Sequence, residues 1–195
     1  MSTLKDTNWF QLYSTLSHYV DSKVCCTGKH SMKVAAWGLD VARNLGFNNR
    51  DMETVYWAAM LHDIGKIAVP DQVLSKNGPL TEEEWQLMRL HPRIGANIVN
   101  AVPELAHIAP FIYCHQEKYD GSGYPQGLSG GDIPLGARIL TVVDAYDAMT
   151  SDRFYRKAPG CAYAVGELNT KRGYQFDPDV VEVFLDVIEE AQQGD

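Results

Sequence analysis

Cysteine is scarce in this chain: four residues of 195, at positions 25, 26, 114 and 161, with no C-x-x-C spacing. A disulfide framework and a thiolate zinc site are therefore not expected, and Cys114, in an apolar run, reads as a small core residue. No apolar run approaches the roughly 20 residues that span a bilayer. The opening MSTLKDTNWF lacks a signal-peptide core, so the expected location is cytoplasmic. Positive charge is also short, with 17 Lys and Arg against 25 Asp and Glu and a net charge of −8. That balance argues against binding of duplex DNA or RNA, and no membrane partner is expected. It leaves room for a small anionic ligand, because a metal and a few local cations reverse the field at a site. Strand signals are weak and internal repeats are missing.

What is present is helical periodicity around one core. The 45% hydrophobic and 22% charged content is ordinary for a globular protein of one domain, 1–195. Helices are predicted over 8–25, 28–45 and from 49 or 50 through the H-D-I-G-K of 62–66. Residues 67–80 hold Pro70, Gly78 and Pro79 and read as a loop with short turns. Thr81 and Glu84 form a capping-box signature for the next helix, and His91-Pro92 marks a kink or restart. Further helices are predicted over 103–117, 137–157 and 177–193. Between the first two lies 118–135, with five glycines and two prolines, long enough to suggest a functional loop. The fold class is all-α: one helical bundle with a long glycine-rich loop.

Polar groups interrupt these apolar helices at particular places. His30, His62, His91 and His115 sit at or near otherwise apolar helix positions, as do Asp63 and Asp144. Asp144 breaks ILTVV–AY, where a solvated charge is not expected. A single histidine on an apolar face is more often a hydrogen-bonded core residue than a ligand, and His18 and His107 are read that way. Six such groups in one helical domain favour a shared partner, and a metal satisfies several at once. Mixed imidazole and carboxylate donors suit iron, manganese or zinc rather than calcium or magnesium. Two metals about 3.5–4 Å apart are a common device for splitting a phosphodiester.

The stretches LHDIGKIAVP, HQEKYDGSGYPQGL and GDIPLGARILTVVDAYDAMTSDRFYRKA resemble the HD-GYP family, a helical subgroup of the HD superfamily of metal-dependent phosphohydrolases. The resemblance covers about residues 25–185. It implies metal ligation by His30, His62, Asp63, His91, His115 and Asp144, with Asp63 as the bridge. It implies that Lys66 contacts the scissile phosphate, and that Arg153 and Arg156 bind phosphate. Gly123, Tyr124 and Pro125 are the signature tripeptide lining the substrate groove, where Tyr124 either stacks on a base or pins the loop. Three positions depart from the family pattern. Gln116 replaces a histidine after His115, Cys26 stands where some relatives carry a glutamate, and Phe154 replaces a proline. The first two point to two metals rather than three.

The resemblance implies a cyclic-dinucleotide phosphodiesterase. Its substrate would be cyclic di-GMP, cut to linear pGpG or on to GMP, with 3′,3′-cyclic GMP-AMP as the rival. A slow, metal-loaded sensor module that signals to a partner protein is the alternative that Gln116 keeps open. The metals implied are two divalent ions, iron or manganese, with zinc, nickel or cobalt as substitutes; oligomeric state is left open. Among neighbouring residues, Asp147 shares the face of Asp144 and reads as a supporting group rather than a ligand. Asp120 reads as a turn residue, Glu117 as an orienter on the His115 side, Lys76 as a solvated loop residue, and Trp9, Trp37, Trp57 and Trp85 as core.

Overall fold

A computed structural model describes residues 7–24, 29–152 and 157–193 of the protein. Among them the elements run α1 (Thr7–Val24), α2 (His30–Asn44), α3 (Asn49–Leu61), a 3-10 segment (Ile64–Ala68) and α4 (Asp71–Leu74). Then follow α5 (Glu82–Met88), α6 (His91–Asn100), a 3-10 turn (Ala106–Ile108) and α7 (Ala109–Cys114). After a third 3-10 turn (Gly130–Asp132) come α8 (Leu135–Thr150), α9 (Cys161–Thr170) and α10 (Pro178–Gln193). The described residues contain no strand, only two isolated bridges. No helix among them is long and apolar enough to cross a membrane. The expected all-α class is what the chain adopts.

The core forms where the apolar stripes of four helices meet. Val34, Val41 and Ala42 of α2 pack with Val55, Ala58 and Ala59 of α3. Ile139, Leu140 and Val143 of α8 and Val180, Val181 and Phe184 of α10 close the cluster from other sides. Small residues on α2 and α3 let these helices approach closely, which fixes the ends that carry His30 and His62. Phe184 has no exposed surface, and burial of such a side chain is worth about 1.5–3 kcal/mol.

Helix boundaries follow local chemistry. Asn48 caps α3 by accepting from the Arg50 and Asp51 amides, and Thr81 with Glu84 closes the predicted capping box on α5. Pro92 sits in the first turn of α6, so His91-Pro92 is a restart. Elsewhere the structure corrects the expected boundaries. The predicted helix through 62–66 ends at Leu61: His62 and Asp63 lie in a turn, and a 3-10 segment follows. Gly65 shows why. A Cβ there would fall 2.0 Å from the His91 carbonyl oxygen and 2.6 Å from the Gly95 nitrogen, because this segment lies directly against α6. The helix expected over 103–117 is shorter, a 3-10 turn followed by α7, and the one expected over 137–157 ends at Thr150. Helix α9 carried no strong periodic signal and was not predicted. Trp57 is buried as expected, but Trp85 is 41% exposed.

The close approach at Gly65 gives a direct expectation. Gly65→Ala should lower unfolding free energy by about 1–3 kcal/mol, since neither contacting atom is on a side chain that can swing away. Urea unfolding of the two proteins measures it.

Candidate metal centre

Six side chains from five parts of the chain converge in one place. His30 opens α2, His62 and Asp63 form the turn after α3, and His91 opens α6. His115 follows the last residue of α7, and Asp144 lies in α8. They fall into two groups. The ligand-capable atoms of His30, His62 and Asp144 lie within 4.8 Å of one another, and so do those of Asp63, His91 and His115. Asp63 faces both groups: its Oδ2 is 3.5 Å from His62 Nε2 and its Oδ1 is 3.5 Å from His91 Nε2. All but Asp144 are buried.

The ring orientations are set by the chain itself. His62, His91 and His115 each point Nδ1 at the carbonyl three residues earlier, on Ala59, Met88 and Ile112, at 2.7, 2.8 and 2.7 Å. A carbonyl only accepts, so Nδ1 carries the proton and, in the neutral ring, Nε2 presents a bare lone pair. His30 Nδ1 points instead at Asp147 Oδ2, 2.6 Å away, while its Nε2 is 3.2 Å from Asp144 Oδ1. All four imidazoles thus aim Nε2 inward. His91 Nε2 and His115 Nε2 stand only 3.2 Å apart. With both Nδ1 atoms protonated and both rings neutral, no proton is available to join them.

The electrostatics agree with that assignment. Burial drives the His91 imidazole down to about 4 and that of His115 to about 3, so both are neutral near pH 7. For His30, burial opposes protonation, but the Asp144 and Asp147 carboxylates outweigh it and hold the ring well above its ordinary range. Burial alone would raise Asp63; the Lys66 cation beside it holds the carboxylate well below its ordinary range. Asp144 is likewise held low against burial, mainly by its hydrogen bond to His30.

Two atoms in this cluster test whether it fits a metal. His62 Nε2 and Asp63 Oδ1 are buried and have no hydrogen-bond partner. A buried unsatisfied group costs about 1–3 kcal/mol, and natural structures rarely leave two side by side. A divalent cation satisfies both, and the facing Nε2 atoms of His91 and His115 as well. The donor set, four neutral-capable imidazoles and two carboxylates, is that of a transition-metal site.

Supporting groups hold the ligands in place. Ser151 Oγ donates to Asp147 Oδ1 at 2.9 Å, Lys33 Nζ donates to Ser151 Oγ at 2.8 Å, and Lys33 lies 3.7 Å from Asp147. Asp147 therefore stands behind His30 as a fixed, charge-compensated acceptor. The Thr141 hydroxyl sits 2.9 Å from the His115 carbonyl, tying α7 to α8. Asp147→Asn should weaken binding of one metal equivalent about 10- to 100-fold and leave the second nearly intact, as read by competition with a chelating dye.

Lys66 Nζ is 2.5 Å from Asp63 Oδ2. The signature loop joins the chain just after His115, through Gln116 and Glu117. Glu117, buried, accepts from the backbone N–H groups of Gln126 at 2.7 Å and Gly127 at 3.1 Å. It anchors the loop rather than orienting His115. Gly123 is required by contact: a Cβ would fall 2.3 Å from the Lys118 nitrogen. Tyr124, joined to Pro125 by a cis peptide bond, donates from its hydroxyl to Gln116 Oε1 at 3.1 Å. Gln116 is thus engaged with the loop and belongs to neither ligand group. Asp120 forms the expected turn by accepting from the Ser122 amide at 2.9 Å. Arg153, Arg156, Phe154 and Cys26 lie outside the described residues.

With this geometry in hand, comparison with known proteins is decisive for family. A family model described as HD domain matches residues 14–180. The chain belongs to the HD domain family. HD-domain phosphohydrolases bind divalent metals, and the two clusters are placed where such ions fit. The HD-domain chain is 44% identical over 147 residues to the cyclic di-GMP phosphodiesterase response regulator RpfG of Xanthomonas campestris pv. campestris, covering 74% of this chain and 39% of that one. It is 35% identical over 188 residues to 3′3′-cGAMP-specific phosphodiesterase 2 of Vibrio cholerae, covering 95% of this chain and 36% of that one. The chain spans less than half the length of these curated relatives. Its fold matches the crystal structure of a cyclic GMP-AMP specific phosphodiesterase of V. cholerae with a TM-score of 0.71 at 17% identity, covering 92% of this chain and 48% of that one.

The six residues predicted as ligands are brought together, and Lys66 and the Gly123-Tyr124-Pro125 turn flank them. Sequence reasoning missed Lys33, Thr141 and Ser151. Their only signal was spacing: Lys33 is three residues after His30, Thr141 three before Asp144, and Ser151 four after Asp147.

Proposed function

We propose that this HD domain is a metal-dependent phosphodiesterase that hydrolyses cyclic dinucleotides at a dinuclear centre. One observation carries the reading: Asp63 stands between two ligand groups, with Oδ2 3.5 Å from His62 Nε2 of one and Oδ1 3.5 Å from His91 Nε2 of the other. His30, His62 and Asp144 would hold one ion and His91 and His115 the other, with Asp63 as the bridge. Iron or manganese suits these donors, and zinc, nickel or cobalt would substitute. When bound, such ions lower the pKa of a water and draw charge from the attacked phosphoryl group.

The chain's own residues supply the rest. The Nδ1 bonds of His62, His91 and His115 to backbone carbonyls, and of His30 to the Asp147 carboxylate, keep four Nε2 donors aimed inward without reorganisation. Lys66 brings a cation to Asp63, where it would offset charge building on the non-bridging phosphate oxygens. Water adds to phosphorus, one phosphorus–oxygen ester bond breaks, and the departing ribose oxygen leaves as a hydroxyl. Gly123, Tyr124 and Pro125 would line the groove beside the cleaved phosphate, and Arg153 and Arg156 would bind it. Identity to relatives named for cyclic di-GMP and for 3′3′-cGAMP supports either nucleotide, with cyclic di-GMP favoured by the higher identity. The reading takes residues 1–195 as one HD-GYP unit acting in the cytoplasm, coupled to a signalling partner protein.

Protein prepared anaerobically with iron or manganese tests it. Chromatography of products from cyclic di-GMP, cyclic di-AMP and 3′,3′-cyclic GMP-AMP should show linear dinucleotide or mononucleotide. Tight binding without any product would instead identify a sensor module.

A further inference from the structure

The first ligand stands on a helix that does not cap itself. His30 is the first residue of α2, and Lys29 before it makes no side-chain bond to the helix amides. A lysine ammonium has no acceptor to give them. The early amides of a helix have no partner within it and need one from elsewhere. Ser31, the second residue, finds its partner on another helix. Asp21 of α1 accepts from the Ser31 amide through Oδ2 at 2.9 Å and from the Ser31 hydroxyl through Oδ1 at 2.8 Å. Asp21 and Ser31 are 3% and 2% exposed, so water does not readily replace these bonds.

Helix α1 is itself held in place. Its Tyr13 and Val20 are buried in the main core. Tyr13 and Phe10 meet the Trp57 ring of α3 edge-on, with centroids 5.7 and 5.6 Å away. Asp21 directly follows Val20, so its carboxylate sits on an anchored part of the helix. His30 is thereby restrained from two directions. Its backbone is fixed from α1 through Ser31, and its ring is fixed from α8, where Nδ1 meets Asp147 Oδ2 at 2.6 Å.

We infer that Asp21 is a positioning residue for the metal centre: by capping the first turn of α2 it holds His30 in reach of His62 and Asp144. The inference rests on the proposed two-metal centre and deepens it with a residue from a helix that carries none of the six ligands. Without the cap, the first turn of α2 frays in part of the population. Apparent metal affinity then falls by the fraction of chains that keep the turn. Only the His30, His62 and Asp144 group should respond, because Asp63, His91 and His115 stand on other elements.

Titration of the full chain with cobalt(II) against a chelating dye tests this. Asp21→Ala should weaken one metal equivalent about 10-fold and leave the other unchanged. Asp21→Asn keeps one acceptor oxygen and should recover most of the loss. A His30→Ala background separates positioning from general support: the affinity that remains there should be the same with and without Asp21→Ala. Ser31→Ala keeps the amide bond, so it should show a smaller loss at the same equivalent, and it replaces Asp21→Ala if that variant does not fold. Unchanged affinity, weakening of both equivalents, or a further loss in the His30→Ala background would overturn the inference alone. An unaltered protein that binds no cobalt would overturn the proposed function and take this inference with it.

Discussion

Asp63→Ala should remove bound metal and lower phosphodiester hydrolysis on the order of 10³-fold or more, with helical content retained. The size follows from what the carboxylate joins. Its two oxygens face imidazoles of different groups, so its loss opens both proposed sites at once. Among the described residues no other carboxylate has this position: Asp144 is grouped with His30 and His62. The fold should survive because Asp63 lies in the turn after α3, while the main core is built from apolar side chains of α2, α3, α8 and α10. Asp63→Asn separates charge from shape. It keeps the side-chain volume but offers one acceptor oxygen and no charge, and it should also lose metal. Metal content by elemental analysis and far-ultraviolet circular dichroism on the same samples decide the case. Retention of both metals in either variant would contradict the bridge.

Lys66→Ala should behave differently. Both metals should stay, while kcat falls about 10²–10³-fold, the usual effect of removing one preorganised charge-stabilising donor. Full turnover in Lys66→Ala would show that its assigned role is wrong. The ion pair predicts a second readout. Lys66 and Asp63 side chains are 16% and 8% exposed, so without metal the variant leaves a buried carboxylate facing mostly neutral rings. Removing one partner of such a pair costs about 3–5 kcal/mol, reduced here by residual solvent at Lys66. A divalent cation replaces the missing charge. Lys66→Ala should therefore be less stable than the parent protein in chelator and nearly equal to it with metal, as measured by thermal unfolding.

The centre was legible in the sequence because its ligands are unlike their surroundings. Asp144 in ILTVV–AY and the His62-Asp63 pair after a run of apolar residues announce buried polarity whatever the tertiary fold. The division into two groups was not legible, since it depends on which helix ends meet. Treating His62 and Asp63 as helical also misplaced them. The helix stops at Leu61 because Gly65 must lie against the start of α6, a constraint set by a segment 26 residues downstream. Helix α9 was missed because CAYAVGELNT mixes small, polar and apolar residues without a clear stripe, and it forms by packing on α8. Trp85 was misread for the opposite reason. A large aromatic is expected inside, and only the exposed position of α5 shows that it faces out. Glu117 gave no hint of its role, because its partners are backbone N–H groups that no side-chain pattern encodes.

The central claim is a shared two-metal centre that cleaves a cyclic dinucleotide. The most direct measurement is metal per chain and turnover of cyclic di-GMP on one preparation, purified anaerobically with iron or manganese supplied. The account predicts two ions per chain and hydrolysis that is lost on chelation and returns with metal. A chain that stays empty, or one that holds two ions and cleaves no cyclic dinucleotide, would contradict it.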